Sequence, residues 1–500
     1  MKTIKSLTEA EISELPILPD EWKWTKIGDL CDLINGRAFK PTEWSSHGTP
    51  IVRIQNLNNK EADFNYCDFR VEDKYYLNNG QLLFAWSGTP GTSFGAHIWS
   101  RGEAVLNQHI FKVNINESYT DKKFLMYVMN WNVTEYVKKA HGTAGLAHIT
   151  KNKFETSFIS FPPLPEQRAI VSKIELLFSE LDNGIDNLKL AQAQLKVYRQ
   201  AVLKKAFEGE LTKKWREQLT DLPDAGDLLE QIRKEREEAA KVSGKKQKSI
   251  QSLTEDELAE LTRLPEGWRW TRLGQVVWSV KDGPHYSPKY EENGIPFISG
   301  GNVRPSGVDF SNTKYISKEL HEELSKRCKP ELNDILYTKG GTTGIARVNT
   351  YDFDFNVWVH VAVLKTIKSI YPFYLQHALN SFHCYRQSQK YTHGVGNQDL
   401  GLTRMILITL PICSLPEQHT IVQEIETRLS VCDKIEQDIK ENLEKAEALR
   451  QSILKKAFEG KLLNERELAE VRRAEDWEPA EVLLERIRVE KAASGKKGRS

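Results

Sequence analysis

The loop KGGTTG, Lys339 to Gly344, follows the strand-like run DILYT. Backbone N–H groups in such a loop can cradle a phosphate, while Lys339, Thr342 and Thr343 can bond phosphates or base edges. A plain glycine hairpin turn on a sheet fits the same residues. A second loop, WSGTPG from Trp86 to Gly91, repeats the pattern after QLLFA, with Ser87 and Thr89 as hydroxyls. Trp86 stands where the other loop has Lys339, so the two loops would read differently. Arg37, Lys40 and Arg53 sit in loops flanked by Gly and Asn. Arginine pairs bidentately with guanine O6 and N7 and lysine holds phosphate, although a solvated surface also accounts for them. In DGPHYSPKY, His285, Tyr286 and Lys289 could press on a nucleic-acid backbone or pack an ordinary turn. Asn56 and Asn302 occupy matched places, with Arg304 just beyond the second. Asparagine reads adenine and also caps turns. The polar loops HGTAGLAHIT and HGVGNQDLGLT carry His141, His393 and Asn397. Neither histidine has a nucleophile or metal partner at a recognisable spacing, so a general base is a poor reading of either.

Catalytic signatures are missing. There is no Asn/Asp-Pro-Pro-aromatic tetrapeptide of the kind amino-methyltransferases use, no GxxxxGK(S/T) phosphate loop and no HExxH. The six cysteines are scattered without a CxxC pair, which argues against a zinc ribbon or disulfide framework and suits a reducing cytosol. The start MKTIKSLTEAE lacks an apolar signal core, and no apolar run approaches a membrane span. With 70 Lys+Arg against 69 Asp+Glu there is no global basic field, so nucleic-acid binding would need local patches. Five hundred residues imply two to four domains.

The elements that must position these loops are written twice. SLTEAEISELPILPDEWKWTKIG from Ser6 returns as SLTEDELAELTRLPEGWRWTRLG from Ser252. LPEQRAIVSKIE from Leu164 returns from Leu415, and VLKKAFEGEL from Val202 returns from Ile453, both at an offset of 251. LLEQIRKE from Leu228 matches LLERIRVE from Leu483. The repeat also closes on itself: ASGKKGRS followed by MKTIKSLTE imitates the internal stretch from Ser243 to Glu255, which predicts neighbouring termini and a tolerated opening near Gln247. Trp22/Trp24 and Trp268/Trp270 alternate along strands and read as packing in preference to base stacking.

Between the repeats lie two divergent segments, 28–162 and 274–414, rich in Gly, Asn, Thr and aromatics, which predict short strands with long polar loops. Their charges are roughly +1 and +3, low for a free-standing nucleic-acid binder. The runs KKQK from Lys245 and GKKGR from Gly495 read as solvated linker and tail. After Pro165 and Glu166 the chain reads as one helix to Gly209. Ile174, Leu181, Leu188, Leu195 and Val202 fall every seven residues, and Ile425, Cys432, Ile439, Ala446 and Ile453 take the matching places. Such heptads predict a coiled coil of roughly 65 Å, with Gly184 a weak point in the first helix only. The boundaries expected are an N-terminal repeat segment 1–27, a first head 28–162, a central helical repeat and linker 163–267, a second head 268–414 and a C-terminal helical repeat 415–500.

The LPEQ helix starts, the KKAFEG helix ends, the circular repeat and the two divergent segments resemble the specificity (S) subunit of Type I restriction–modification systems over nearly the whole chain. The resemblance implies an α+β protein: two globular α/β target recognition domains joined by two long antiparallel helices in a pseudo-twofold repeat. It implies that each domain reads one half of a bipartite, asymmetric double-stranded DNA site. It further implies that the helices space the domains and dock two modification (methyltransferase) subunits, with restriction (endonuclease/translocase) subunits joining them. No cofactor is expected in this chain; S-adenosylmethionine belongs to the methyltransferase subunit, and ATP and Mg to the restriction subunit. The protein is expected to be cytoplasmic and non-catalytic. The rival reading is a coiled-coil scaffold whose divergent globules bind two different proteins.

Overall fold

The structure, a computed structural model, describes residues 15–59, 61–90, 92–139, 147–221, 224–243, 250–394 and 398–497. The chain divides into two units, Met1–Leu188 with Glu441–Ser500, and Lys189–Lys440. Two 44-residue helices, α1 (Leu164–Phe207) and α2 (Leu415–Phe458), each contribute to both. In the first unit Ile170 and Ile174 of α1 share a core with Ile453, Ala457 and Phe458 of α2, and Arg450 pairs with Asp182. In the second, Val202, Leu203 and Phe207 share a core with Ile421, Val422 and Ile425, and Arg199 pairs with Asp433 at 2.7 Å and Glu436 at 2.9 Å. The start of one helix thus meets the end of the other, and the pair is antiparallel.

The heptad positions Ile174, Val202, Ile425, Cys432, Ile439, Ala446 and Ile453 are buried. Leu181, Leu188 and Leu195 are only half-buried. Gly184 is not a break: α1 runs through it, and no atom lies within 4 Å of the place its Cβ would take.

The repeated motifs are the joints of this scaffold. Glu166, in the first turn of α1, is fully buried and accepts from Trp22 Nε1 at 2.7 Å, Trp477 Nε1 at 3.1 Å and Arg472 Nε at 3.2 Å. Glu417 does the same for α2, accepting from Trp268 Nε1 at 2.9 Å, Thr212 Oγ1 at 2.7 Å and Arg216 Nη1 at 2.5 Å. Each carboxylate ties its helix start to a repeated tryptophan and to the segment leaving the other helix. Gln167 and Gln418 extend the joint into the heads through the backbone N–H groups of Asp121 and Tyr371. The glycine of KKAFEG ends each helix in the left-handed region, at φ +77° for Gly209 and +73° for Gly460. A Cβ there would stand 2.4 Å from Pro265 Cγ and Pro19 Cγ respectively, so a side chain is excluded twice over.

The divergent segments carry one fold. The first head has an antiparallel sheet in the order Cys31–Asn35, Ile110–Ile115, Leu82–Ala85, Gly95–Ile98. The second has Val277–Asp282, Val361–Thr366, Ile335–Thr338, Ala346–Val348 in the same order. Each adds a second sheet of shorter strands, four in the first head and three in the second, containing a parallel pair, Thr49–Val52 with Ala104–Leu106 and Ile295–Ile298 with Asn356–Val357. A helix packs on each sheet, and the asparagine after or at its end clamps one strand: Asn130 bonds both backbone groups of Ala96, and Asn380 those of Ala346. Apolar cores of unlike sequence therefore support identical strand orders.

All six cysteines are buried and free. Among the described residues no helix is long and apolar enough to cross a membrane. The expectations for the termini and for Gln247 rest on residues 1–14, 244–249 and 498–500, which lie outside the described residues.

Candidate nucleic-acid interface

In each head two strands end, and the strand between them begins, at the same edge of the four-stranded sheet. Asn35 ends the first strand of one sheet and Asp282 that of the other. Trp86 and Lys339 follow the third strand in sheet order, and His109 and His360 precede the second. Backbone bonds make these positions equivalent. Trp86 N donates to His109 O at 3.2 Å and Lys339 N to His360 O at 2.9 Å; Ile149 N donates to Trp86 O at 3.0 Å and Leu400 N to Lys339 O at 2.8 Å. His148 and Asp399, one residue earlier, complete a matched set of four.

The first head fills the set with an amide and aromatic rings. Trp86 Nε1 donates to Asn35 Oδ1 at 3.0 Å, and its ring lies 5.2 Å from that of His109 and 6.3 Å from that of His148. Burial pushes the His109 imidazole below its ordinary pKa, and the cationic forms of His148 and Arg53 push it the same way. Asn107 N donates to Val52 O at 3.1 Å, which brings Arg53 beside the segment leading into His109. The Arg53 guanidinium stacks 5.1 Å over the exposed Trp44 and, among the described residues, makes no ion pair. Arg37 is committed elsewhere: it pairs with Glu43 through two bonds, at 2.5 and 3.3 Å, and lies over Phe39 and Phe69. Lys40 is exposed, and its backbone N–H donates to the capping carboxylate of Glu43 at 2.8 Å. Ser87 is buried opposite His148 in a short strand pair, while Thr89 is exposed.

The second head fills the set with charges. Lys339 is 2% exposed, and its ammonium bonds Asp399 Oδ1 at 2.6 Å and lies 3.5 Å from Asp282 Oδ2. Asp282, equally buried, also takes Arg327 at 2.8 Å and stands 3.3 Å from His285 Nε2. Lys339 is thus a correction: its charge is consumed inside the head, and a phosphate cannot reach it. Thr342 and Tyr286 are exposed, Thr343 is buried with its hydroxyl unpartnered, and His285 is mostly exposed. Trp358 Nε1 bonds Tyr286 O at 3.2 Å and stacks edge-on at 5.0 Å from His360, so the 285–286 loop shares the edge with His360. Lys289 is exposed beside Glu291, and Arg304 pairs with Asp309 at 2.9 Å. His393 exchanges backbone bonds with Asp399. His141 and Asn397 lie outside the described residues.

Asn56 and Asn302 are also corrections. Asn56 is 3% exposed; its Oδ1 caps Arg53 N and its Nδ2 bonds Asp63 O. Asn302 caps Ser299 N and bonds Asp309 O. Both amides are spent on shaping their own loops, the turn-capping alternative of the sequence. Asn35, Asp282, Asp399, His109, His148, His360 and Trp44 were missed. His109 and His360 keep the 251-residue offset of the helices, so the repeat itself carried that signal. Among the described residues no group of three His, Cys, Asp or Glu side chains forms a metal site.

The family described as Type I restriction modification DNA specificity domain matches residues 19–190 and again 265–445. The Type I restriction enzyme EcoBI specificity subunit of Escherichia coli is 26% identical over 501 residues, covering 99% of this chain and 98% of that protein. The EcoDI specificity subunit, also from Escherichia coli, is 25% identical over 493 residues, covering 96% and 97%. The crystal structure of the HsdS subunit from Thermoanaerobacter tengcongensis shares the fold with a TM-score of 0.52 at 19% identity, over 89% of this chain and 98% of that one. A chain from a structure described as the basis of complex assembly and conformational transition of the type I R-M system has a TM-score of 0.63 at 18% identity, over 89% and 100%. With the family matching once on each head and its adjoining helix, this chain belongs to the Type I restriction–modification DNA specificity family.

Proposed function

We propose that this chain is the DNA sequence-specificity subunit of a Type I restriction–modification complex, reading a split, asymmetric duplex site with one head per half-site. The observation that carries the reading is the pair of heads with one fold and unlike edge chemistry: Asn35, Trp86, His109 and His148 against Asp282, Lys339, His360 and Asp399. Equal scaffolds with unequal reading edges suit a target whose halves differ. Arg53, backed by Trp44 and without an ion pair among the described residues, is the best-placed guanine reader of the first head. His285, Tyr286 and Thr342 are the exposed groups of the second. The recognition domains span 28–162 and 268–414. The weak positive charge of both heads assigns much of the phosphate grip to two methyltransferase subunits docked on the helical scaffold. Methyl transfer from S-adenosylmethionine belongs to those subunits, and ATP- and Mg-dependent translocation and cleavage to restriction subunits.

The test is selection from random-sequence duplexes by the chain co-expressed with its methyltransferase. Enrichment of two short motifs at fixed separation is expected. Absence of any enriched motif would favour the rival scaffold, whose heads bind proteins.

A further inference from the structure

A buried lysine keeps its charge most readily where fixed carboxylates replace its lost water. Lys339 has two, and they come from distant stretches of chain: Asp282 ends the first strand and Asp399 lies in the last loop before Gly401. Asp399 is itself anchored, its Oδ2 accepting from Gly401 N at 2.8 Å. Asp282 leads directly into the loop bearing His285 and Tyr286, and Lys339 into Gly340–Thr343. The ammonium therefore ties together the roots of the loops that leave Asp282 and Lys339 and the turn at Asp399–Gly401. The first head holds the matching place with a hydrogen bond from Trp86 to Asn35, where no charge is buried.

We infer that Lys339 is the positioning residue of the second head: held by Asp282 and Asp399, it fixes the loops that read the second half-site and touches no DNA itself. The inference rests on the DNA-reading assignment. It separates two roles that the sequence merges, because the residue most suggestive of phosphate binding is the one that never meets it. It also assigns base preference in this head to the neighbouring loops, whose alignment depends on an internal ion cluster where the matched positions of the other head hold the Trp86–Asn35 bond.

The experiment uses the full chain in complex with its methyltransferase and a panel of duplexes carrying single-base changes in either half-site. The half-site that changes when residues 268–414 are exchanged is the second head's. Wild type should discriminate about tenfold or more per base in both halves. Lys339→Met should flatten discrimination in the second half-site by about tenfold and leave the first within about twofold. Lys339→Met combined with Asp282→Asn leaves neither member of the fully buried pair charged, and Arg327, 57% exposed, stays solvated without its carboxylate, so the fold should recover while second-half discrimination does not. Asp399→Asn, at a side chain 38% exposed, is the mild variant that keeps the fold and should show the same half-specific loss. Discrimination restored together with stability would reduce Lys339 to a structural role and overturn the inference. Equal loss at both half-sites, or no loss in a folded variant, would overturn it too. If wild type selects no split motif, the DNA reading itself falls, a result distinct from any of these.

Discussion

The helix joints are the most exacting prediction of the fold. Glu417 is 2% exposed and receives three donors, from Trp268, Thr212 and Arg216. Glu417→Ala leaves all three facing a cavity, one of them a guanidinium whose side chain is only 15% exposed. Breaking a buried pair by removing one partner costs about 3–5 kcal/mol, because the surviving charge keeps its desolvation cost. Glu417→Gln preserves volume but turns one donor against another, and should cost about 2 kcal/mol. Trp268→Phe removes a single bond, worth about 1 kcal/mol. A chain of two units does not melt in one step, so the assay is native-state hydrogen exchange at the backbone amides of Trp268–Thr271 and the first turns of α2. Glu417→Ala and Trp268→Phe should couple by about 1 kcal/mol or more in a double-mutant cycle. The repeat adds a control: Glu166→Ala, with Trp22, Trp477 and Arg472 as donors, should match Glu417→Ala within about 1 kcal/mol. A loss below about 1 kcal/mol, or strict additivity with Trp268→Phe, would refute the claim that these carboxylates hold the scaffold.

Burial pushes the thiols of Cys31, Cys328 and Cys384 up to about 12, so the native chain should resist iodoacetamide at pH 8 while the unfolded chain takes six labels; prompt native labelling, read by mass spectrometry, contradicts the packing. Burial holds His377 down at about 4, with Arg347 acting the same way. The unfolded chain takes that proton near pH 6.5 and the native chain refuses it until about 4, so stability should fall as pH drops through this window, by up to about 3 kcal/mol. His377→Leu should flatten that limb in denaturant titrations, and an unchanged slope would show that other groups cause it. Removing one heptad from both α1 and α2 should shorten the gap between half-sites by about three base pairs without changing the bases read; an unchanged gap at normal affinity excludes the helices as a spacer.

Much of the scaffold was legible because its signals are local and occur twice. Heptad spacing within 44 residues declares a helix, and LPEQ and KKAFEG recur with their physical duties intact: a carboxylate for a tryptophan, and a glycine for a left-handed turn. The period alone overstated one seam, since Leu181, Leu188 and Leu195 are half-buried while Cys432, Ile439 and Ala446 opposite them in the repeat are buried. Periodicity gives the face a residue takes and leaves the depth to the partner helix.

The interface was legible at the level of loops and not of side chains. A cation's role depends on the carboxylate it meets, and the fold chooses that carboxylate. For Arg37 the partner is six residues away and visible in the sequence as a turn. For Lys339 the partners stand 57 and 60 residues away, on either side, and only the shared sheet edge brings them together. A sequence thus advertises Arg37, Arg53 and Lys339 alike, while the structure commits two to internal pairs and leaves Arg53 stacked on Trp44, without an ion pair among the described residues. Divergence between the heads follows from the same logic. Strand order is set by many interchangeable apolar contacts, so it persists when the sequence drifts. An edge is set by four positions whose members must satisfy one another. Exchanging Trp86 and Asn35 for Lys339 and Asp282 therefore requires paired changes, and each consistent set gives the head a different surface to present.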